Sequence, residues 1–235
     1  MPTPGATIGE RITDLIGSDY ATVPNLSYKD LINAAFNEIV DSVFEDLLLK
    51  YSSNPGRLEG ATEWLVEDRK ILKVTRVDAN SGGIERECAY VNRTEFAAAQ
   101  DSNSIYFATA FSPVFHIDSK NAGAANLSII PVCNGDGQEG RIWYFSYATN
   151  STDLTAITAA TLNTSHNLPG TLIHAIVLKS CVNILSAYIS NFIQDDEDSE
   201  LQGMVEKQLM GLQANYTAEM SRFSDQSEGP SKGAE

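Results

Sequence analysis

The sequence has few basic residues and few cysteines. Sixteen Lys and Arg stand against 31 Asp and Glu in 235 residues, which gives a net charge of −15. A surface of this sign repels phosphate, so we expect no sequence-specific nucleic-acid binding and no anionic-membrane binding. The three cysteines, Cys88, Cys133 and Cys181, have none of the paired spacings of zinc or redox sites. We expect them to be small buried side chains.

Long apolar runs and catalytic motifs are also missing. No stretch approaches the ~18 apolar residues of a membrane span, and residues 1–5 do not begin a signal peptide, so we expect an intracellular protein without membrane contact. The chain contains no nucleophile elbow, phosphate loop, dinucleotide fingerprint or H-E-x-x-H zinc signature. His116, His166 and His174 cannot share a metal by their spacing, and we expect structural roles for them. The sequence therefore predicts neither an enzyme nor a bound metal or cofactor.

Apolar spacing predicts helices towards both ends of the chain. Apolar residues recur every three or four positions over 7–17 and 28–51, and again over 172–192 and 201–220. The last two ranges should pair as a helical hairpin, with 172–192 as the central core helix.

The middle of the chain has the pattern of short strands. Clusters of Gly and Asn at 80–83 and 134–137 allow tight turns, and each should join neighbouring antiparallel strands. The strand-like runs are 70–77, 84–91, 104–110, 113–118, 127–133 and 141–148.

These patterns predict an α+β protein. Its helical bundle, an N-terminal helix packed with a C-terminal helical hairpin, should carry an inserted, small and mostly antiparallel β-domain. The expected divisions are an N-terminal helical segment at 1–60, the β-domain at 61–168, the hairpin at 169–224 and a disordered tail at 225–235.

Two sets of residues are candidates for binding. The acidic set follows the central helix and lacks the ligand spacing of an EF-hand calcium loop, so a solvated helix start is favoured. The aromatic set lies in the strand-like runs, where core packing, a protein interface, or sugar or base stacking are open alternatives. The acidic set is Asp195, Asp196, Glu197, Asp198 and Glu200; the aromatic set is Tyr106, Phe115, Trp143 and Phe145.

The order of elements resembles a known family. An N-terminal helix (27–51) is followed by a small β-domain with Ser112–Phe115 and Ile129–Pro131, and then by a proline, an apolar helix, an acidic turn and an amphipathic helix over Pro169–Tyr216. This order resembles the head-to-tail connector (adaptor) proteins of tailed bacteriophages. The likeness covers about two thirds of the chain, and none of its motifs is catalytic.

The resemblance implies a virion structural protein at the neck of the capsid vertex, assembled in the host cytoplasm. The expected partners are the portal protein, a tail, nozzle or stopper protein, and further copies of this chain in a ring of about twelve. Such a ring would extend the DNA channel and dock the tail, and the acidic set would line the channel or another surface. The resemblance also implies that the C-terminal segment grips the portal, here with Ser221, Arg222, Phe223, Gly229 and Pro230.

Other functions remain open alternatives. The chain could be another neck or tail-completion protein, because its β-domain is large for a small adaptor. A module in which aromatic strands bind a carbohydrate or peptide would be a stable monomer. An enzyme whose site is assembled without any local motif is a third alternative.

Overall fold

The computed structural model describes residues 6–17, 27–52, 55–60, 63–79, 82–119, 125–135, 137–193 and 199–224. About 50% of the chain is helix and 23% is strand, arranged as seven helices and two small, mostly antiparallel sheets within the described ranges. The predicted α+β class is confirmed. Contacts divide the chain into two compact units: Met1–Tyr51 with Tyr147–Glu235, named the helical unit, and Ser52–Ser146, named the β-unit.

Six of the seven helices belong to the helical unit, and α4 belongs to the β-unit. A short 3₁₀ turn precedes α6 and a π-turn follows it. In chain order the helices are α1 (Ile8–Ile16), α2 (Tyr28–Ser42), α3 (Glu45–Tyr51), α4 (Arg93–Gln100), α5 (Ala159–His166), α6 (Ile173–Tyr188) and α7 (Ser199–Ser224).

The centre of the helical unit is α6. Ten of its 16 residues are buried, and it packs against α1, α2 and α7. By length and composition the stretch Gly170–Asn191 could cross a membrane, with a mean hydropathy of 1.7, yet 61% of that window is buried inside the protein. Packing on several sides accounts for this apolar composition.

Lys179 is the only Lys, Arg, Asp or Glu residue in α6. Its Nζ lies 2.5 Å from Glu38 Oε2 on α2 and 5.6 Å from the ring centre of Tyr216 on α7. The side chain therefore links three helices and keeps its charge at the edge of the core.

The helix predicted over 28–51 is two helices. Val43 ends α2 in an extended conformation, with φ −82° and ψ 142°, and its side chain stays buried at 3% exposure. The amide of Leu48 then donates to the carbonyl of Phe44 and begins α3. A break of this length leaves the apolar spacing intact, which is why the sequence pattern did not reveal it.

Two four-stranded sheets form the β-unit, with strand orders β1-β8-β3-β4 and β2-β7-β6-β5. Every pairing is antiparallel except β5 with β6. The core includes Leu58, Val74, Leu127, Ile129 and Ile142. The strands are β1 (Gly56–Leu58), β2 (Trp64–Leu65), β3 (Arg69–Asp78), β4 (Ile84–Glu87), β5 (Ala89–Tyr90), β6 (Val114–Ser119), β7 (Ala125–Ile130) and β8 (Gln138–Ser146).

Three predictions for this region are wrong. The run 104–110 forms turns and one isolated bridge instead of a strand. The run 84–91 forms β4 and β5, which lie in different sheets. The cluster 134–137 leads from β7 to β8, again in different sheets, whereas the cluster 80–83 joins the neighbours β3 and β4 as predicted. Sequence spacing predicts where a turn occurs, but which strands pair with each other depends on contacts between residues far apart in the sequence.

Candidate interaction surfaces

A turn-rich stretch of the β-unit, Ile105–Phe111, exposes large apolar side chains. We name it the aromatic segment. Ile105 is 91% exposed and Phe111 is 73% exposed, and Tyr106 and Phe107 are exposed beside them. Tyr90, at the end of β5, adds a further exposed ring. Monomeric proteins seldom leave so much apolar surface in one place, so the aromatic segment is a candidate interface.

Hydrogen bonds and one buried residue fix the backbone of the aromatic segment. The amide of Ala108 donates to the carbonyl of Ala99 at 3.0 Å, and the amide of Phe107 donates to the carbonyl of Ser104 at 3.1 Å. Ala108 is buried against Ala99 and Ile130. The segment is therefore anchored at Ala108 while the rings around it remain exposed.

The four aromatic residues selected from the sequence have different environments. Tyr106 is exposed in the aromatic segment. Trp143 and Phe115 are half-buried, and the Phe115 ring packs edge-on against Tyr90 with ring centres 5.5 Å apart. Phe145 is 3% exposed, so its assignment to a subunit or tail interface is wrong, because a ring buried within the fold offers no surface to a partner.

The described part of the C-terminal segment ends on α7. Arg222 Nη1 lies 2.6 Å from Glu219 Oε2. Phe223 and Ser221 border a cavity of about 430 Å³ that Phe44 and Tyr216 also line. Gly229 and Pro230 lie outside the described residues.

The acidic set falls mostly outside the described residues. Asp195, Asp196, Glu197 and Asp198 are not among them, and Glu200 is exposed in the first turn of α7.

No described residue covers the outer surface of α7. Met204 and Met210 are exposed, and a Cβ placed on Gly203 or Gly211 would meet no atom within 4 Å among the described residues. This surface is a second candidate interface.

The β-unit also contains a polar cavity of about 370 Å³, which the sequence did not suggest. It lies beside β6, β7 and α4. His116 is 8% exposed, and its Nδ1 lies 2.9 Å from the carbonyl oxygen of Val91. Because only a protonated nitrogen can donate to this carbonyl, Nδ1 carries the proton. His116 Nε2 has no hydrogen-bond partner in the described part of the chain. The polar residues that line the cavity are Glu63, Arg93, Gln100, His116, Asp118 and Ser128.

This cavity brings a serine, a histidine and an aspartate together, yet they are not arranged as a catalytic triad. His116 lies opposite Ser128 in the register of β6 and β7. A triad needs a carboxylate on one ring nitrogen and the nucleophile on the other. Here Nδ1 faces a backbone carbonyl, and within the described residues no hydrogen bond reaches Nε2. We assign no nucleophile.

No family model matches this chain, and no curated protein matches its sequence. The surfaces above and the order of elements are therefore the basis for inferring its function.

The remaining titratable clusters have structural roles. Arg76 and Asp78 form a buried ion pair at 2.9 Å, and Arg76 also donates to the carbonyl of Pro131 and to Gln138 Oε1. All three cysteines are free and buried, as expected. Burial raises the pKa of Cys88 and of Cys181 to about 12, so these thiols stay protonated and unreactive. Among the described residues, no group of three His, Cys, Asp or Glu could hold a metal ion.

Proposed function

We propose that this chain is a virion structural protein of a tailed bacteriophage. In this proposal it is a head-to-tail connector (adaptor) subunit that forms an oligomeric ring between portal and tail. The order of elements, from the N-terminal helix through the β-unit to the α6–α7 hairpin, supports this family. The observation that carries the proposal is the aromatic segment, which offers a partner protein a rigidly held apolar surface.

The aromatic segment fits a docking surface better than a core element. Its backbone is held by local hydrogen bonds, so binding would cost little additional ordering. Aromatic side chains are also the most frequent anchors of protein interfaces. We assign this surface to the contact with the tail, and a neck or tail-completion protein would use it in the same way.

The helical unit would supply the ring contacts. The surface of α7 that no described residue covers offers Met204 and Met210 to a neighbouring copy, and the adjacent Gly203 and Gly211 allow close approach. In the proposal the segment from Ser221 onwards contacts the portal, with Gly229 and Pro230 allowing a bend.

The net charge of −15 suits a conduit for DNA. An acidic lumen repels phosphate and lets DNA slide without adhering. Replacement of Asp195, Asp196, Glu197 and Asp198 by their amides should therefore increase DNA retention in the channel and slow ejection from assembled particles. Unchanged DNA passage and genome retention would show that these four residues do not line the lumen.

The aromatic segment can be tested by genetic complementation of the virus that encodes this chain. The double variant Ile105→Ser/Phe111→Ser should give DNA-filled heads without tails, counted by electron microscopy. Leu65→Ser is the matched control, because Leu65 is an exposed apolar residue of the β-unit outside the segment. If the double variant gave tailed particles as often as Leu65→Ser does, the assignment of the aromatic segment to the tail contact would be contradicted.

A further inference from the structure

The polar cavity contains more hydrogen-bonding groups than the protein uses. Within the described part of the chain, the side chains of Arg93, Gln100, Asp118 and Ser128 form no hydrogen bond or ion pair. His116 Nε2 also has no partner there. Of these groups, His116 Nε2 alone is a buried atom without a partner, whereas Arg93 and Gln100 are exposed and Asp118 and Ser128 are half-buried. Because a buried polar atom without a partner costs free energy comparable to its desolvation, an occupant that bonds to His116 Nε2 gains that free energy.

These groups are held on rigid elements. His116 and Asp118 are two positions apart on β6, which places them on the same face of the sheet, and Ser128 lies opposite His116 on β7. Across the cavity, α4 begins with a capping box in which Asn92 accepts from the backbone of Glu95 and Glu95 accepts from that of Asn92. The cap fixes the start of α4 and hence the position of Arg93.

The protonation of His116 determines what its free nitrogen can bind. Because Nδ1 donates to Val91, the neutral ring presents Nε2 as an acceptor. The carboxylate of Asp118 is a second acceptor. Arg93, Gln100 and Ser128 provide donors, so the cavity offers both kinds of group.

We propose that this cavity binds a neutral sugar unit of a glycan. Sugar hydroxyls both donate and accept hydrogen bonds, and the C–H face of the sugar can pack on Phe96 and Val132, which also line the cavity. Glu63 and Asp118 disfavour an anion, and Arg93 disfavours a simple cation. The volume of about 370 Å³ is that of a small ligand site, for which roughly 300–1,000 Å³ is usual.

The proposal is independent of the connector assignment. A glycan site would give the chain a second binding activity whether or not the chain forms part of a virion. The sugar experiment uses the purified full-length protein without portal or tail. Failure of one proposal therefore leaves the other standing.

The test is a titration followed by NMR. The probes are the methyl glycosides of glucose, galactose, mannose, N-acetylglucosamine and rhamnose, each added up to about 50 mM, a range that detects very weak binding. We expect at least one glycoside to shift the amides of Asp118 and Ser128 saturably and to shift the His116 Nε2 resonance.

Three variants assign the binding to this cavity. Asp118→Asn should weaken it about tenfold, because a charged acceptor is replaced by a neutral and weaker one, and one of the two acceptor oxygens becomes a donor. His116→Asn keeps a side-chain donor for the Val91 carbonyl, lacks Nε2, and should weaken binding to a similar extent. Glu67→Gln removes an exposed charge of the same unit away from the cavity, and should bind as the wild type does.

Three results would overturn the proposal. The first is that none of the five glycosides causes a saturable shift. The second is that folded Asp118→Asn binds the sugar as tightly as Glu67→Gln does. The third is that inorganic phosphate, tested in parallel, gives the shifts at Asp118 and Ser128 while the glycosides do not.

Discussion

The two units of this chain are stabilised in different ways and leave different surfaces uncovered. In the helical unit, α6 buries aliphatic residues on several sides against α1, α2 and α7. The smaller β-unit instead buries a charged pair, Arg76 and Asp78, together with His116. Most of the exposed large apolar residues also belong to the β-unit, including the aromatic segment. The helical unit is built around an aliphatic core, whereas the β-unit combines buried polar side chains with most of the exposed apolar ones.

This difference predicts different responses to mutation. Both tryptophans, Trp64 and Trp143, belong to the β-unit, so their fluorescence reports its unfolding. Far-UV circular dichroism reports mainly the helical unit, which holds six of the seven helices within the described residues. The stability of each unit can therefore be measured in the same sample.

The largest effect is expected for Arg76→Met. This change leaves Asp78 as a buried charge without its ion-pair partner, and it should lower the free energy of unfolding of the β-unit by about 3–5 kcal/mol. Denaturant titration followed by tryptophan fluorescence measures the loss. Arg57→Met removes a largely exposed arginine, and its partner Glu139 keeps an ion pair with Arg141, so the change should cost less than ~1 kcal/mol. Equal losses for the two variants would show that the buried pair has no special role.

In the helical unit, Ile176→Ala should cost about 2–5 kcal/mol, because it removes part of a fully buried side chain and leaves a cavity. Denaturant unfolding followed by circular dichroism should show this loss of stability. The unfolding transition followed by tryptophan fluorescence in the same sample reports whether the β-unit unfolds separately. Met210→Ala, on the exposed side of α7, is the control and should change little. A large effect of Met210→Ala in the free chain would mean that this surface is already covered.

Tyr147→Phe should have a smaller, pH-dependent effect. Tyr147 donates to Asp41 at 2.6 Å, and loss of this bond should cost about 1 kcal/mol near neutral pH. Burial, together with Asp41, raises the pKa of Tyr147 from 10.0 to about 12. The protonated phenol therefore stabilises the folded state fully below pH 10, and this contribution is lost as the pH rises from 10 through about 12.

The stability of wild type and Tyr147→Phe should consequently converge over that pH range. Tyr106→Phe, which alters an exposed phenol, is the control and should remain parallel to the wild type. A constant difference between Tyr147→Phe and wild type at all pH values would contradict the role of the Asp41 bond.

The smallest effect is a gain. Gly203→Ala and Gly211→Ala should each stabilise α7 by about 0.5–1 kcal/mol, since the new Cβ meets no described atom within 4 Å. Thermal unfolding of the free chain measures this gain. If neighbouring copies approach closely at these glycines, the same variants should impair ring assembly. Destabilisation of the free chain would show that another segment covers α7.

The sequence predicted the elements better than their pairing. The spacing around Ile8, Ile12 and Ile16 was enough to predict α1, whose burial follows that spacing. The same reasoning could not reveal the break at Val43, because the apolar spacing continues across it. It also predicted a strand over 104–110, where β-branched and aromatic residues are frequent but the backbone forms turns.

The candidate surfaces were predictable only in part. Tyr106 was selected for its aromatic ring and is exposed, but the same criterion selected Phe145, which is buried. The polar cavity was not predicted, because it depends on the register that places His116 opposite Ser128. Residues brought together by pairing between strands leave no local pattern in the sequence.

The most direct test of the connector proposal is to look for the chain in virus particles purified from its source. Gold-labelled antibody against the chain would be imaged by electron microscopy on intact virions, with antibody against the major capsid protein as the reference. The proposal predicts label at a single vertex, between head and tail. Particles that carry no label there, with the capsid label present, would contradict it.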